Sequence, residues 1–504
     1  MDLKEDQFIV FNKLLEFLNN DKNEILINSS AGTGKTFLIT YFIKHIILNN
    51  TINKNISVCT PTHTSLQELK SKLFKDDNNF DKSRVNLSTI HRFLDYKQKI
   101  DKNNEKYFSR NKKSKLNWNK YELLIIDECS MLNDDICNDI TEQVMKIVKT
   151  NNFKVIYIGD VSQLNPINQN KSNIFKKDIE NLKLNKIIRT NNNKIMDICN
   201  SHKKWDLENI IPNLGEHISQ NVVVLNNKKK WLKKFKKEFF KSQNNIILCW
   251  TNKNKDYYNN YMRKKIFKKD TLEKYEINEI LIFSDFHKIT YKQDDAEKEV
   301  YFKSSQQFII KDIIIENFTL NKITITKTSK LNDKLNNIII NNLEIVNNYL
   351  DEIFKIYKMK IIKNNINNNM DEEIDNNIYE IFVIHNDDDK NFENIKSKCI
   401  DTITDIKIQC YKEIKTSDNK SEIQNEIENK IIKIWNMFNS IIEVIAKINY
   451  SYAITVHLSQ SKTYNNVYID INNILENQNL GEKKKLIYTA LTRASNSLKL
   501  LIEK

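Results

Sequence analysis

The chain has 504 residues, of which 40% are hydrophobic, and its formal net charge is +14 at pH 7. This length is too great for one hydrophobic core, so the sequence predicts two to four domains. The positive balance favours a polyanionic partner such as nucleic acid, but only as supporting evidence, because Lys, Asn, Ile and Tyr are the residues that A/T-rich codons specify.

Several classes of protein are excluded by simple patterns. The seven cysteines form no CxxC pair and no spacing with histidine that is typical of a metal site, so buried free thiols in a reducing compartment are expected. The N-terminus is acidic without an apolar signal segment, and no run of 18 apolar residues occurs. We therefore expect a soluble, intracellular protein without a membrane partner.

Glycine is rare, and its positions are informative. Only five glycines occur, and three of them, Gly32, Gly34 and Gly159, lie in short segments that are typical of nucleotide-handling loops. The segment EILI is followed by AGTGKT and then by a helical pattern, which is the arrangement of a phosphate-binding loop, or P-loop. In that arrangement Lys35 pairs with the β- and γ-phosphates of ATP and the Thr36 hydroxyl binds Mg²⁺. The predicted nucleotide-binding residues here are Ala31, Gly32, Thr33, Gly34, Lys35 and Thr36.

Two further strand ends add acidic and amide groups to this prediction. The segment LLIIDECSM places Asp127 and Glu128 after an apolar strand, where Asp127 suits a water-mediated Mg²⁺ ligand and Glu128 a general base. In IGDVSQLNPI, Gln163 follows the next strand and can sense the γ-phosphate. One departure from the P-loop pattern is Ser29, which stands where the consensus has its first glycine.

The apolar runs indicate the fold class, which is α/β. ISVC, LLII and KVIYI belong with EILI to one parallel sheet, whereas IILCW, VYIDI and LKLLI form a second set later in the chain. Residues 94–120 interrupt the first set with a basic segment, which by itself is most often a solvated loop. Residues 291–449 interrupt the second set. They begin with the β-like segments QFIIKDIIIENF and KITITK, continue through an Asn/Asp-rich stretch interpreted as a flexible loop, and end with helical spacing over Glu422–Ile448.

The segment KKKWLKKFKKEFF, Lys228–Phe240, has a basic and an apolar face. We interpret it as a helix that packs Trp231, Leu232, Phe235 and Phe239 onto a sheet and exposes its lysines to water, and we predict no function for it.

Taken in order, these motifs resemble the superfamily 1 helicases, and most closely the Dda/RecD-like branch that moves 5′ to 3′ on single strands. Further segments are similar to family motifs: VCTPTHTSLQEL to motif Ia, STIHRFL to Ib, LNKIIRT to the fourth, YAITVHLSQSKTYNNVYID to V and LIYTALTRASNSL to VI. The resemblance spans Gln7 to about Leu500 and barely covers the middle insertion. It implies two RecA-like P-loop motor domains, with inserted subdomains of which one is β-barrel-like.

The resemblance also implies roles for individual residues. Gln7 would contact adenine, Gln460 would contribute to the nucleotide site, and Arg189 and Arg493 would reach the γ-phosphate from opposite sides of a cleft. The residues that it implies for single-strand binding are Pro61, Thr62, His63, Thr89 and His91 on the first domain, and Thr251, Asn252, Thr455 and His457 on the second. Leu458 departs from the family pattern by replacing a basic residue, and Ser461 by replacing a glycine.

The predicted domains are residues 1–190, residues 191–290 with 450–504, and the accessory insertion 291–449. By its position, the 94–120 insertion corresponds to a strand-separating pin. The function that we predict is a Mg-ATP-dependent DNA helicase, with single-stranded DNA and forked duplex as partners, a single-strand-binding protein or replisome as candidate protein partners, and a monomeric state. The alternatives are an RNA-directed or dual-specificity helicase, a P-loop small-molecule kinase, and a catalytically weakened nucleic-acid-binding ATPase.

Overall fold

The computed structural model describes residues 3–74, 81–100, 106–110, 118–149, 152–165, 172–190, 192–239, 244–284, 287–293, 296–302, 306–364, 377–414, 420–460 and 462–503. The chain forms two compact units. Unit 1 comprises Met1–Thr271 and Ser451–Lys504, and unit 2 comprises Leu272–Tyr450. None of the described helices is long and apolar enough to cross a membrane.

Unit 1 contains a six-stranded parallel sheet in the order β3-β2-β6-β7-β1-β8. Its strands are β1 (Glu24–Ser29), β2 (Asn55–Thr60), β3 (Val85–Thr89), β6 (Tyr121–Ile126), β7 (Lys154–Gly159) and β8 (Glu180–Leu184). Its helices are α1 (Glu5–Asn19), α2 (Lys35–Leu48), α3 (His63–Leu73), α4 (Ile90–Phe93) and α5 (Asp134–Val148). Alternate strand residues enter two separate apolar clusters, so both faces of the sheet are covered, as the continuous apolar runs predict.

The basic insertion 94–120 contains an antiparallel strand pair, β4 (Tyr96–Ile100) and β5 (Lys106–Arg110). Its base is fixed to α5, because the Tyr96 hydroxyl donates to Asp139 Oδ2 at 2.6 Å and Arg110 pairs with Asp139 Oδ1 at 2.9 Å. The residues between the strands lie outside the described part of the chain. A solvated loop is therefore the wrong description of the segments that form these two strands.

Unit 1 also contains a five-stranded parallel sheet in the order β18-β10-β19-β20-β9. Its strands are β9 (Val222–Leu225), β10 (Asn245–Cys249), β18 (Ala453–Thr455), β19 (Tyr464–Asp470) and β20 (Ala494–Leu501). Its helices are α6 (Asn193–Glu208), α7 (Lys228–Phe239), α8 (Asn252–Phe267), α12 (Ile471–Leu475) and α13 (Leu480–Leu491). The packing predicted for α7 is confirmed, since Trp231, Leu232, Phe235 and Phe239 are all buried.

Unit 2 is built around an antiparallel sheet in the order β16-β15-β14-β11-β17 and a separate hairpin, β12-β13. Its strands are β11 (Ile280–Phe283), β12 (His287–Gln293), β13 (Ala296–Phe302), β14 (Gln307–Phe318), β15 (Phe354–Lys363), β16 (Ile378–Ile384) and β17 (Ile448–Tyr450). Its helices are α9 (Asp333–Leu350), α10 (Asp389–Glu413) and α11 (Lys420–Ile442). The expectation of a β-barrel stays a prediction.

Unit 2 tests three segment predictions. QFIIKDIIIENF coincides with β14, and the predicted C-terminal helix is α11. KITITK, residues 322–327, is not a strand, so this prediction is wrong. The side-chain amide of Asn347 on α9 accepts from the Ile323 N–H at 2.8 Å and donates to the Ile323 carbonyl at 2.9 Å, which takes both backbone groups that a sheet neighbour would use. Most of the Asn/Asp-rich stretch, residues 365–376, lies outside the described residues.

Candidate nucleotide and nucleic-acid site

The loop between β1 and α2 has the backbone of a phosphate cradle. Gly32 and Gly34 have φ angles of +80° and +78°, in the left-handed region that favours glycine. A Cβ atom at Gly32 would lie 2.8 Å from the Arg189 Cβ, and one at Gly34 would lie 2.6 Å from both the Gln7 Nε2 and the Ile188 Cδ1. Because α2 begins at Lys35, with Thr36 in its first turn, the positive end of the helix faces this cradle. The residues therefore fit a bound phosphate.

The serine at the first P-loop position is accommodated. Ser29 is the last residue of the extended strand β1 and is buried, so its position does not require a positive φ angle. Its hydroxyl shares a hydrogen bond of 2.7 Å with the Thr33 hydroxyl, which in turn donates to the Ser30 carbonyl at 3.0 Å. These buried hydrogen bonds connect the start of the loop, at Ser29 and Ser30, to Thr33.

Lys35, Asp127 and Glu128 meet at the carboxyl edge of the first sheet. Lys35 Nζ lies 2.9 Å from Glu128 Oε1, and the Glu128 N–H donates to Asp127 Oδ1 at 2.8 Å. Burial raises the pKa of Asp127 to about 6, with the Glu128 charge adding to this and the Lys35 charge opposing it. Burial acts to lower the pKa of Lys35, but the carboxylates of Glu128, Asp127 and Asp160 outweigh it, and the pKa of Lys35 is raised. The ammonium group of Lys35 is thus held against the carboxylate of the predicted general base.

Glu128 has an unusual backbone for a residue with a side chain, with φ +55° and ψ +39°. Non-glycine residues in this region cost about 1–2 kcal/mol and are concentrated at functional sites. The turn directs the Glu128 carboxylate toward Lys35. Among the described residues no group of three or more His, Cys, Asp or Glu side chains could hold a metal ion. Mg²⁺ at Thr36 and Asp127 would therefore need phosphate and water oxygens as well, which is its usual coordination.

The loop after β7 contains a buried network that the sequence did not reveal. Gln163 is buried and donates through Nε2 to Asp160 Oδ2 at 3.4 Å. The Tyr488 hydroxyl, on α13 beside the second sheet, donates to the same oxygen at 2.8 Å and accepts from the Ala31 N–H at 3.3 Å. Asp160 and Tyr488 both lie inside motifs that the sequence analysis used, but a tyrosine in an apolar helix is usually a core residue.

Both predicted arginine fingers lie where segments of the two sheets meet. Arg189 follows β8 of the first sheet, and its Nη1 donates to the Thr492 carbonyl at 2.6 Å. Arg493 is 1% exposed, and burial together with the Arg189 charge lowers its pKa to about 10, although Glu128 and Asp160 act in the opposite direction. Arg493 therefore lies close enough to Glu128 and Asp160 for their charges to act on its pKa.

The guanidinium of Arg493 donates hydrogen bonds to segments that lie beside the second sheet. Its Nε donates to the Thr489 carbonyl at 3.0 Å, and its Nη2 to the Thr492 hydroxyl at 2.9 Å. Its Nη1 donates over longer distances, 3.3 Å to the Lys462 carbonyl and 3.4 Å to the Ser459 carbonyl. Contact of Arg493 with a γ-phosphate stays a prediction.

Two more residues that the resemblance implies for the nucleotide lie beside this site. Gln7 is buried, accepts from the Lys4 N–H at 3.0 Å and donates to the Thr33 carbonyl at 2.9 Å, so it connects α1 to the P-loop. Gln460 follows Ser459, whose carbonyl accepts from Arg493. Adenine contact by Gln7 stays a prediction. Ser461, which departs from the family pattern, lies outside the described residues.

The predicted strand-binding residues assemble at one edge of each sheet. On the first sheet, Thr60 and Thr89 are paired across β2 and β3, so the segments 61–63 and 89–91 begin side by side. Thr62 caps α3 by accepting from the Ser65 N–H at 3.2 Å, and Thr89 caps α4. His63 begins α3, but its side chain lies outside the described part of the chain.

On the second sheet, Cys249 and Thr455 are paired across β10 and β18. Thr251 and Asn252 follow the first of these strands, and His457 follows the second. Thr251 caps α8 by accepting from the Asn254 N–H at 3.3 Å. His457 lies 3.7 Å from Glu482, but burial lowers its pKa despite this carboxylate.

Sequence comparisons relate the chain to known proteins. Residues 17–169 match the family model described as an AAA domain, and residues 450–501 match the one described as a UvrD-like helicase C-terminal domain. The chain is 31% identical to an uncharacterized protein of Acanthamoeba polyphaga mimivirus, and the alignment covers 99% of each. It is 26% identical to the ATP-dependent DNA helicase dda of Enterobacteria phage T4 over 60% of this chain and 66% of that protein.

Among solved structures, the Pif1 helicase from Candida albicans is 15% identical and aligns with a TM-score of 0.48, over 100% of this chain and 95% of that chain.

Proposed function

Because the chain belongs to the superfamily 1 helicases related to Dda and RecD, we propose that it is an ATP-dependent DNA helicase that moves 5′ to 3′ on single-stranded DNA. The observation that supports this most directly is the contact between Lys35 and Glu128. It brings a phosphate-binding cation and a carboxylate base together at a loop to which the second sheet is connected through Tyr488. An ATPase site joined to a second sheet in this way can turn hydrolysis into relative motion of the two.

When bound, Mg-ATP supplies the phosphoryl group that is transferred to water. Lys35 would turn from Glu128 to the β- and γ-phosphates, which frees the Glu128 carboxylate to accept a proton from the attacking water. Thr36 and Asp127 would hold Mg²⁺, and Gln163 would sense the γ-phosphate. Arg189 and Arg493 would neutralise the charge that develops there, so hydrolysis would require both sheets. Gln7 and Gln460 would complete the nucleotide pocket.

The strand-binding residues form two sets, one for each sheet. Pro61, Thr62, His63, Thr89 and His91 make up the first set, and Thr251, Asn252, Thr455 and His457 the second. Contacts by such residues would go mostly to phosphates, which suits a motor that cannot depend on sequence. Closing and opening of the two sheets around ATP would make the two sets hold the strand alternately.

The domain limits belong to the same proposal. The motor domains would be residues 1–190, and 191–290 with 450–504, whereas 291–449 would be an accessory domain. The β4–β5 hairpin would separate the strands of a forked duplex, since its base is fixed to α5 by Asp139. We also propose that the protein acts as a monomer, with a single-strand-binding protein or the replisome as protein partner.

Glu128→Gln tests the chemistry. The amide keeps the size of the side chain but cannot accept a proton, so hydrolysis should fall at least about a hundredfold. Binding of ATP and of single strands, followed by fluorescence titration, should be retained. Glu142→Gln is the matched control, because Glu142 is exposed on α5 and pairs with the exposed Lys146. Turnover that survives in Glu128→Gln would show that another group is the base.

Tailed duplexes test polarity and substrate. Duplexes with a 5′ or a 3′ tail, each made of DNA and of RNA, are offered to the native protein with Mg-ATP and to Glu128→Gln as the inactive control. We expect unwinding of the 5′-tailed DNA only. Unwinding of RNA would instead favour an RNA-directed or dual-specificity helicase. ATP hydrolysis that ignores every nucleic acid would favour a P-loop kinase, and binding without turnover a weakened ATPase.

A further inference from the structure

The positive charge of the chain is concentrated on two neighbouring helices. Helix α7 has seven lysines and one glutamate, and α8 has five cationic residues and one aspartate. These 28 residues account for ten of the fourteen net positive charges of the whole chain. Genome composition would distribute lysine along the sequence, so it does not explain this concentration. Lys229, Lys233 and Lys237 follow one another at four-residue intervals and are all exposed, so they form a row along one side of α7.

The two helices form one surface. Lys236 Nζ on α7 donates to the Lys265 carbonyl on α8 at 2.5 Å, and the buried rings of Trp231 and Tyr258 are 5.6 Å apart between the helices. The buried residues lie on the inner sides of α7 and α8, which leaves an outer face whose residues are exposed or partly exposed. We call this outer face, with residues 229, 233, 237, 257 and 261, the α7–α8 surface.

Two tyrosines on the α7–α8 surface add flat aromatic faces to the positive charge. Tyr257 is 46% exposed, and its ring is stacked against that of Tyr261 with centroids 6.3 Å apart and an interplanar angle of 26°. Lys228 Nζ lies 4.4 Å from the Tyr257 ring centroid, and Lys265 Nζ lies 5.8 Å from that of Tyr261. A basic surface with aromatic rings between its cations is the composition that binds single-stranded nucleic acid, through phosphate contacts and base stacking.

We propose that the α7–α8 surface binds single-stranded nucleic acid outside the two sets of strand-binding residues. This rests on the proposed function, because α8 begins at Asn252, next to its cap Thr251, where the second set lies. Tyr257 is five residues further along α8, about 8 Å along the helix axis, so the same strand can reach it. Unpaired bases are required, since a duplex hides the base faces that Tyr257 would stack on. The lysine row then holds the phosphates.

The experiment compares oligonucleotide lengths. Fluorescently labelled oligo(dT) strands of increasing length are titrated at several salt concentrations with the native protein, Lys229→Gln/Lys233→Gln/Lys237→Gln and Tyr257→Ala. The reference is the shortest strand that stimulates ATP hydrolysis fully. All variants should bind this strand as the native protein does. The native protein should bind longer strands more tightly than the reference strand. The two variants should bind these longer strands about tenfold more weakly than the native protein does.

The salt dependence and two controls distinguish the contacts. Removing three phosphate contacts should reduce the slope of log affinity against log salt concentration by about 2. Tyr257→Phe keeps the ring and should bind like the native protein. Lys54→Gln/Lys149→Gln/Lys176→Gln removes three other exposed lysines of unit 1 and should leave both affinity and slope unchanged.

Two outcomes would overturn the proposal. Equal binding of long strands by the native protein and the α7–α8 variants would show that the surface takes no part. A blunt duplex that competes as well as a single strand, with no effect of Tyr257→Ala, would assign the lysines to duplex binding instead. Failure of the proposed function is a separate result, because it would be seen as native protein whose ATP hydrolysis no strand stimulates.

Discussion

Gly34 shows how little space the P-loop leaves for a side chain. Its φ angle of +78° is in the left-handed region, and a Cβ atom there would lie 2.6 Å from Gln7 and from Ile188. The Gln7 amide is itself fixed by its bond to the Thr33 carbonyl, so it cannot move away without releasing the loop. A methyl group at this position would therefore displace Gln7 and with it the Thr33 carbonyl of the P-loop.

We expect Gly34→Ala to weaken ATP binding at least about tenfold, because the αL strain of about 1–2 kcal/mol adds to these clashes. The matched control is Gly481→Ala. Its Cβ would only contact Asn479 Oδ1 at 3.4 Å, and alanine favours the helix by up to about 1 kcal/mol. Titration with a fluorescent ATP analogue and thermal unfolding of both variants measure this. Equal ATP affinity in the two variants would contradict the argument.

At this scale the sequence predicted the residues whose type is dictated by chemistry. The meeting of Lys35 with Asp127 and Glu128 was predictable, because all three follow strands of one parallel sheet, whose carboxyl ends lie at the same edge. Asp160 and Tyr488 were not singled out, since their importance arises only when α13 of the second sheet meets the loop of the first. Ser29 looked like a defect in the sequence, but the structure uses its hydroxyl inside the loop.

Helix α13 connects the two sheets of unit 1 at the nucleotide site. Besides the bonds of Tyr488, Lys485 Nζ donates to the Val161 carbonyl at 2.7 Å and to Asn165 Oδ1 at 2.6 Å. The same helix ends one residue before Thr492, and Arg493 follows. A displacement of the P-loop by nucleotide would thus be transmitted along α13 to the arginine finger.

Tyr488→Phe tests this connection, since it removes one hydroxyl and leaves the ring in the core. Burial raises the pKa of Tyr488 well above its usual value, so the hydroxyl is a donor at every physiological pH. A hydrogen bond to a carboxylate contributes about 1.5–3 kcal/mol. We expect kcat for strand-stimulated ATP hydrolysis to fall about tenfold or more, with little change in KM.

The control for Tyr488→Phe is Tyr258→Phe. Tyr258 donates to Asp470 Oδ2 at 2.5 Å, so it forms a similar buried pair beside the second sheet but away from the P-loop. The Tyr258→Phe variant should be less stable than the native protein but should keep the native kcat. If the two variants lose kcat equally, the effect is a general loss of packing and the connection through α13 is refuted.

Helices and strands were predictable where the local sequence alone determines the structure. β14 was predictable because five isoleucines and two phenylalanines fall within its twelve residues, a composition that favours a strand. Residues 322–327 have the same strand-like alternation, but the side chain of Asn347 on α9 takes the backbone groups of Ile323. Such a side-chain competitor lies 24 residues away in the chain, and no local pattern reports it.

At the scale of the whole molecule, the proposed ATPase chemistry is divided between two sheets. The first sheet would provide Lys35 and Glu128, and the second sheet would provide Arg493. Arg189 of the first sheet already contacts the Thr492 carbonyl. The resemblance of the motifs implies this division, which stays a prediction. Their distances did not follow from the sequence, because the bonds of Arg493 to carbonyl groups depend on how residues 459–462 fold beside α13.

Arg493→Lys tests whether hydrolysis requires both sheets. The two Nη1 bonds of Arg493 are long, at 3.3 and 3.4 Å, so this end of the guanidinium can leave the carbonyls for a phosphate while Nε stays on the Thr489 carbonyl. Lysine keeps the charge but has no fork with which to make both contacts. We expect ATP and single-strand affinity within about threefold of native and hydrolysis reduced about 10³-fold or more, measured in steady state and in a single turnover. The control is Arg84→Lys. Arg84 directly precedes β3, at the amino end of this strand and so at the edge of the sheet opposite to the site, and the variant should hydrolyse ATP normally. If Arg493→Lys hydrolyses ATP at more than a tenth of the native rate, the guanidinium fork of Arg493 is not required for turnover, and the role proposed for this arginine of the second sheet is refuted.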